Sequence, residues 1–89
     1  MEKIMIAAIQ ITTIENDTIV MTGVRHADIW EDIHRMRAHI KMRRKTEGFL
    51  TNKNRFVNRV EAKKIAVAAN QLIVPEEETF TELYSEDIY

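Results

Sequence analysis

Cysteine is absent from this 89-residue chain, serine and proline occur once each, and glycine occurs twice. Each scarcity closes a route. Without cysteine there is no disulfide, and no Cys/His set to hold a structural metal. Two glycines do not make a glycine-rich phosphate loop. The lone serine, Ser85, lies in an acidic tail and is a poor candidate nucleophile. The three histidines, His26, His34 and His39, lack metal-ligand spacing; His34 and His39 are five apart, so on a helix they point away from each other. No apolar run approaches the roughly 20 residues of a membrane span. MEKIMIAAIQI has a short apolar stretch but no cleavage site, so no signal peptide is expected. These exclusions leave a small soluble, cytoplasmic domain with no metal, no cofactor, no membrane partner and no enzymatic chemistry expected.

Charge is scarce by sign rather than in total. The net charge is −1, yet eleven of the thirteen Lys and Arg residues fall between Arg35 and Lys64, where Glu47 and Glu61 are the acids. From Pro75 onward there are six acidic side chains and no base. A middle that attracts anions and a tail that repels them is a statement about partners. The tail can also fold back on the basic patch, in the same chain or a neighbour. With pI near 6.3 the chain is a poor general binder of DNA, and none is expected as a partner.

The elements read as an α+β domain over residues 1–89: an antiparallel hairpin, or small sheet, packed by two helices. Residues 3–11, KIMIAAIQI, are apolar at both parities, as in a strand covered on both faces. ENDT is a turn signal, and TIVMTGV completes a hairpin over 3–23. A helix is predicted over 27–45, with Ile29, Ile33, Met36 and Ile40 on one stripe, acids in its first turn and Arg43, Arg44 and Lys45 in its last. Trp30 belongs at the stripe's edge or at a subunit contact. A strand or turn spans 48–57. Asn58 then caps a helix over 59–71, with Glu61 three residues on as in a capping box. Pro75 marks its end. The acidic tail, 75–89, carries four bulky anchors, Phe80, Leu83, Tyr84 and Ile88, and is either loosely ordered or docked through them. A chain this short buries only about 60–65% of its unfolded surface, so assembly into an oligomer is expected.

One stretch concentrates chemistry. GFLTNKNRFVNRVEAKKIA, residues 48–66, places Phe49, Phe56, Arg55, Arg59 and Asn58 within twelve residues of one another. Phe49 and Phe56 also read as the core of a strand-to-helix corner, the commoner fate of a phenylalanine, with Asn58 as a cap and Arg59 as a surface residue. The same residues also make an anion site. A helix N-terminus offers unpaired N–H groups and a positive dipole end, and Arg55 and Arg59 flank it with planar donors suited to phosphate. A nearby ring adds stacking worth about 1–3 kcal/mol per base. Rings, amides and arginines at a helix start therefore match a nucleotide better than a bare anion.

Four pieces, in order, carry a resemblance: TGVRHADI (22–29), GFLT (48–51), RFVNRVEAKKIA (55–66) followed by Gln71, and LYSEDIY (83–89). Together they resemble the first type of phage-encoded Thoeris anti-defence protein, over most of the chain. That family acts as sponges that bind, without cleaving it, a cyclic ADP-ribose-isomer signal made by a bacterial TIR-domain enzyme. Its members are dimers, some of them hexamers built from three dimers with further sites for cyclic oligonucleotides. The resemblance implies that Phe49 stacks on adenine, Asn58 meets ribose or phosphate, and Arg25 beside His26 meets pyrophosphate. Arg55, Phe56 and Arg59 match the motif as well. It further implies action in the cytoplasm of an infected host. The chain departs from the pattern at QLIVPEEE, acidic where relatives often carry bases, and at Asn70, where a glycine is usual. Two rival readings stay open: a nucleotide-processing enzyme, and a protein or nucleic-acid binding module using the basic Arg35–Lys45 face.

Overall fold

The computed structural model describes residues 1–89. In order along the chain come β1 (Ile4–Thr13), β2 (Thr18–Gly23), α1 (His26–Met36), β3 (Met42–Thr51), β4 (Phe56–Asn58) and α2 (Arg59–Ala68), then two short 3-10 turns at Glu76–Glu78 and Ser85–Asp87. The fold is α+β. Its four strands form one antiparallel sheet in the order β2-β1-β3-β4.

Strand alternation sorts the side chains. Ala7, Ile9 and Ile11 of β1, with Phe49 of β3 and Val57 of β4, pack against Ile29 and Ile33 of α1 and Ala62 and Ala66 of α2. Both helices thus lie on one face of the sheet. Ala62 and Ala66 on α2 let it approach the sheet closely. The other face carries the rows Ile6/Leu50/Phe56, Thr22/Ala8/Gly48/Asn58 and Val20/Gln10/Thr46. No helix covers them, so β1 is apolar at both parities without being sandwiched between helical layers. Gly48 is required there. A Cβ would stand 2.0 Å from the Val57 carbonyl oxygen and 2.7 Å from the Phe56 ring.

The turns follow local chemistry. Asn16, between β1 and β2, and Asn54, between β3 and β4, hold positive φ angles of 69° and 57°, which asparagine tolerates well. After α2 the chain makes a Schellman turn: Asn70 adopts φ 57°, its N–H reaches the Val67 carbonyl, and the Gln71 N–H reaches the Ala66 carbonyl. Asparagine thus serves where glycine is usual. Gln71 then pins the sheet, its amide bonding both the N–H and the carbonyl of Ile4 at 2.7 and 2.8 Å.

The predicted helix over 27–45 is too long. α1 stops at Met36, the N–H groups of His39 and Ile40 both turn back to the Met36 carbonyl, and Met42 begins β3. Met42, Arg44 and Lys45 pair with Thr13, Thr12 and Ile11 of β1. Helix propensity is a weak preference. A ten-residue central strand needing partners on both sides overrides it. The basic run Arg43–Lys45 therefore alternates across a strand and forms no helical stripe. Likewise the region 48–57 is the second half of β3, a turn and the start of β4, and α2 ends at Ala68 with its cap at Ala69.

The tail is docked. Leu83 is wholly buried in the core and Ile88 packs against it. The Leu83 N–H bonds the Arg59 carbonyl at 2.9 Å, and Ile73 N–H bonds the Asp87 carbonyl at 2.9 Å. Lys63, itself buried, donates to the Thr79 hydroxyl and the Phe80 carbonyl. The Tyr89 hydroxyl donates to the Val24 carbonyl. Of the four anchors, Phe80 does not dock and remains 72% exposed.

Candidate functional site

Three segments far apart in sequence converge beside the N-terminus of α2. The β2–α1 turn supplies Arg25, His26 and Ala27, α2 supplies Arg59, and the docked tail supplies Tyr84, Ser85 and Glu86. They line a hollow of about 290 Å³.

Its floor is rigid. His26 Nε2 lies 2.7 Å from the Gly48 carbonyl, and Nδ1 lies 3.1 Å from the Ser85 hydroxyl. A carbonyl only accepts, so Nε2 carries the proton and Nδ1 accepts from Ser85. Burial pushes the His26 pKa down, although the Gly48 carbonyl pulls it the other way. Phe49 lies beneath, edge to face with His26 at 5.0 Å and 89°.

Arg59 forms the wall. Its Nη1 donates to the Leu83 carbonyl at 2.6 Å, Nη2 stands 3.4 Å from Glu47, and the guanidinium lies 4.6 Å from the centroid of the Tyr84 ring. Tyr84 also meets Phe80 edge to face at 6.0 Å. Glu47 is fixed by the Trp30 indole N–H at 2.7 Å. Burial raises the Glu47 pKa, but the Trp30 hydrogen bond and the Arg59 charge outweigh it and hold the carboxyl below its ordinary range. Arg25 forms the rim, 3.4 Å from Glu86 and 5.4 Å from the Tyr89 ring centroid. The Arg25 and Arg59 guanidiniums and the exposed part of the Tyr84 ring suit an anion attached to a ring, whereas the Ser85 hydroxyl is already given to His26.

Of the seven residues picked from the sequence, the fold brings Arg25, His26 and Arg59 together. Phe49 is 0% exposed, so it supports the imidazole and offers no face to a base. Its alternation parity on β3 sends it to the helical side of the sheet. Asn58 is the N-cap of α2, its side-chain oxygen accepting from the Glu61 N–H at 2.8 Å. The capping box is half made, because the Glu61 carboxylate turns to Arg55. Asn58 lines a second hollow of about 370 Å³ with Lys45, Thr46, Glu47, Arg59, Val60 and Glu82. Arg55 lies elsewhere, with Nε and Nη2 on Glu2 at 3.0 and 2.8 Å and Nη1 on Glu61 at 2.8 Å. Phe56 sits over Gly48 on the uncovered sheet face, away from the hollow. Arg59 is buried and is no surface residue of its helix.

Sequence reasoning missed Ser85, Glu86 and Glu47, and took Tyr84 only as an anchor. The available signal was LYSEDIY, where an aromatic, a hydroxyl and acids adjoin within a segment otherwise held by apolar anchors.

The sequence model of the family described as phage T4 y16D protein matches residues 3–89. No curated protein and no solved structure matches the chain.

Proposed function

The chain belongs to the phage T4 y16D protein family, and we propose that this phage protein is an anti-defence sponge, on the strength of its motif resemblance and of the hollow beside α2. It binds a cyclic ADP-ribose-isomer signal of the Thoeris type in the cytoplasm of the infected cell and holds it intact. The observation that carries this reading is the position of Arg59, which lines both hollows. Pockets for small organic ligands measure about 300–1,000 Å³, and the Tyr84 hollow, at about 290 Å³, stands at the bottom of that range. A molecule with two riboses joined by a charged linker spans both. Its linker meets Arg59 and Arg25, its adenine lies against the exposed part of the Tyr84 ring, and a ribose reaches Asn58. Cyclic oligonucleotides share the same chemistry and are the next ligands to examine.

Binding without chemistry is supported by the floor of the hollow. Ser85 is 2% exposed and its hydroxyl is committed to His26. The imidazole is oriented by a carbonyl instead of a carboxylate, so the imidazolium that a general base must become lacks a charged partner.

A homodimer, extended to a hexamer of three dimers, is part of the proposal. The place the sheet offers for it is the one wholly apolar row of its uncovered face, Ile6/Leu50/Phe56. The remaining rows carry Thr, Gln and Asn, as a solvated face does. The mass of the protein in solution tests this part.

The functional test is titration calorimetry with the purified isomer, followed by heat release and mass analysis. Tight binding and recovery of unaltered ligand support the sponge. A ligand recovered cleaved or isomerised supports an enzyme instead, and absence of binding removes the reading.

A further inference from the structure

The charge balance inside the Arg25 hollow does not match that of an open anion site. Each guanidinium already faces a carboxylate at the same distance: Arg59 faces Glu47 at 3.4 Å, and Arg25 faces Glu86 at 3.4 Å. The two pairs differ in how they are held. Glu47 is tied to the Trp30 indole and its partner Arg59 is buried against the Leu83 carbonyl. The Glu86 side chain is 71% exposed and makes no hydrogen bond. Its backbone, however, is fixed on both sides. Ser85 is locked to His26, and the Asp87 carboxylate accepts from the Tyr84 N–H at 3.0 Å. Glu86 can therefore leave Arg25 by a side-chain rotation alone, with the tail still docked. Such rotations take picoseconds to nanoseconds.

Resting on the reading of this hollow as an anion site, we infer that Glu86 is a built-in competitor: its carboxylate fills the phosphate seat beside Arg25 and weakens every incoming anion. The penalty is the same for each ligand, so it lowers affinity without changing the ratio between ligands. A ligand that adds ring stacking on Tyr84 and a second contact at Arg59 makes up the loss. Because a ligand phosphate replaces an existing ion pair at Arg25, binding to the native protein exchanges one pair for another and responds weakly to salt. Without Glu86, a pair forms where none is broken, and screening weakens it in full.

The test compares wild type, Glu86→Gln and the charge control Glu77→Gln, which alters an exposed residue of the other tail turn. Each is titrated with inorganic pyrophosphate and with the cyclic ADP-ribose isomer, at low and high salt. Removing Glu86 is expected to tighten both ligands about threefold, the size of an exposed ion pair, and to steepen the salt dependence, while the Glu77 variant matches wild type. Equal or weaker binding of both probes by Glu86→Gln overturns the inference and leaves the sponge reading standing. Tightened pyrophosphate binding with no isomer bound by any protein supports the inference and removes the isomer as ligand. If none of the three proteins binds either probe, inference and reading fall together.

Discussion

Arg55 and Arg59 stand four residues apart in one segment, yet the fold assigns them opposite fates. Arg55 is ringed by carboxylates, with three hydrogen bonds to Glu2 and Glu61, and acts as a clip joining the start of the chain to α2. Arg59 is buried, braces the tail through Leu83, and lines two hollows at once. What separates them is the company each keeps. β4 ends at Asn58, so Arg55 stays in the β3–β4 turn beside Glu2, while Arg59 opens α2 beneath Leu83 and Tyr84. An arginine stays available to a ligand only when its neighbours fix it without exhausting its donors and faces.

The comparison is most severely tested at the floor of the hollow that Arg59 lines. Phe49→Ala removes a wholly buried ring from the core and is expected to cost about 3–5 kcal/mol. That loss would appear as a lower urea midpoint, with weakened binding only as a consequence of unfolding. A stable Phe49→Ala protein that has lost binding would return this ring to the ligand. Next comes Arg59→Ala, which strands the Leu83 carbonyl and removes the cation facing Glu47. A loss of about 2–3 kcal/mol in urea unfolding and loss of isomer binding are both expected. A smaller effect on stability is expected from Tyr84→Ala. Its ring is 38% exposed, and removing a stacking platform should weaken binding about tenfold or more while the midpoint falls less than in Arg59→Ala.

The smallest effects separate the two regions by pH. Hydrogen bonds from Arg55, then from Thr51, hold the Glu2 carboxyl down at about 2, from an ordinary 4.5. In the same pair, the hydrogen bonds that Arg55 donates to Glu2, and then to Glu61, raise the Arg55 pKa. The unfolded chain therefore takes up a proton that the folded one refuses, and stability falls as pH drops from 4.5 toward 2. Replacing Arg55 with Met should flatten that limb. His26 has the same sign in a higher window. Its folded pKa lies below the ordinary 6.5, so its contribution is complete above that value and declines as pH falls through and beneath it. Urea midpoints across the acid range would show two separate declines, and His26→Gln should remove only the upper one.

Much of this was legible where the code is local. ENDT gave the first turn and Asn58 the helix cap. Arg25, His26 and Arg59 were legible as site candidates through the motif order. What failed was non-local. Nothing near Arg43 says that β1 requires it as a strand partner. Nothing within GFLT says which side of the sheet Phe49 will face, because parity depends on the register with Ala7. The tail's contribution was hidden for the same reason: Ser85 and Glu86 acquire meaning only when Leu83 docks and brings them to His26 and Arg25.

The most direct test titrates the cyclic ADP-ribose isomer into Arg25→Ala and Arg55→Ala side by side with wild type, since both arginines are solvent-accessible and only one lines the hollow. The account predicts at least about tenfold weaker binding for Arg25→Ala, the loss of a charge-assisted phosphate contact, and wild-type affinity for Arg55→Ala. The reverse order, or equal affinity in all three, would contradict it.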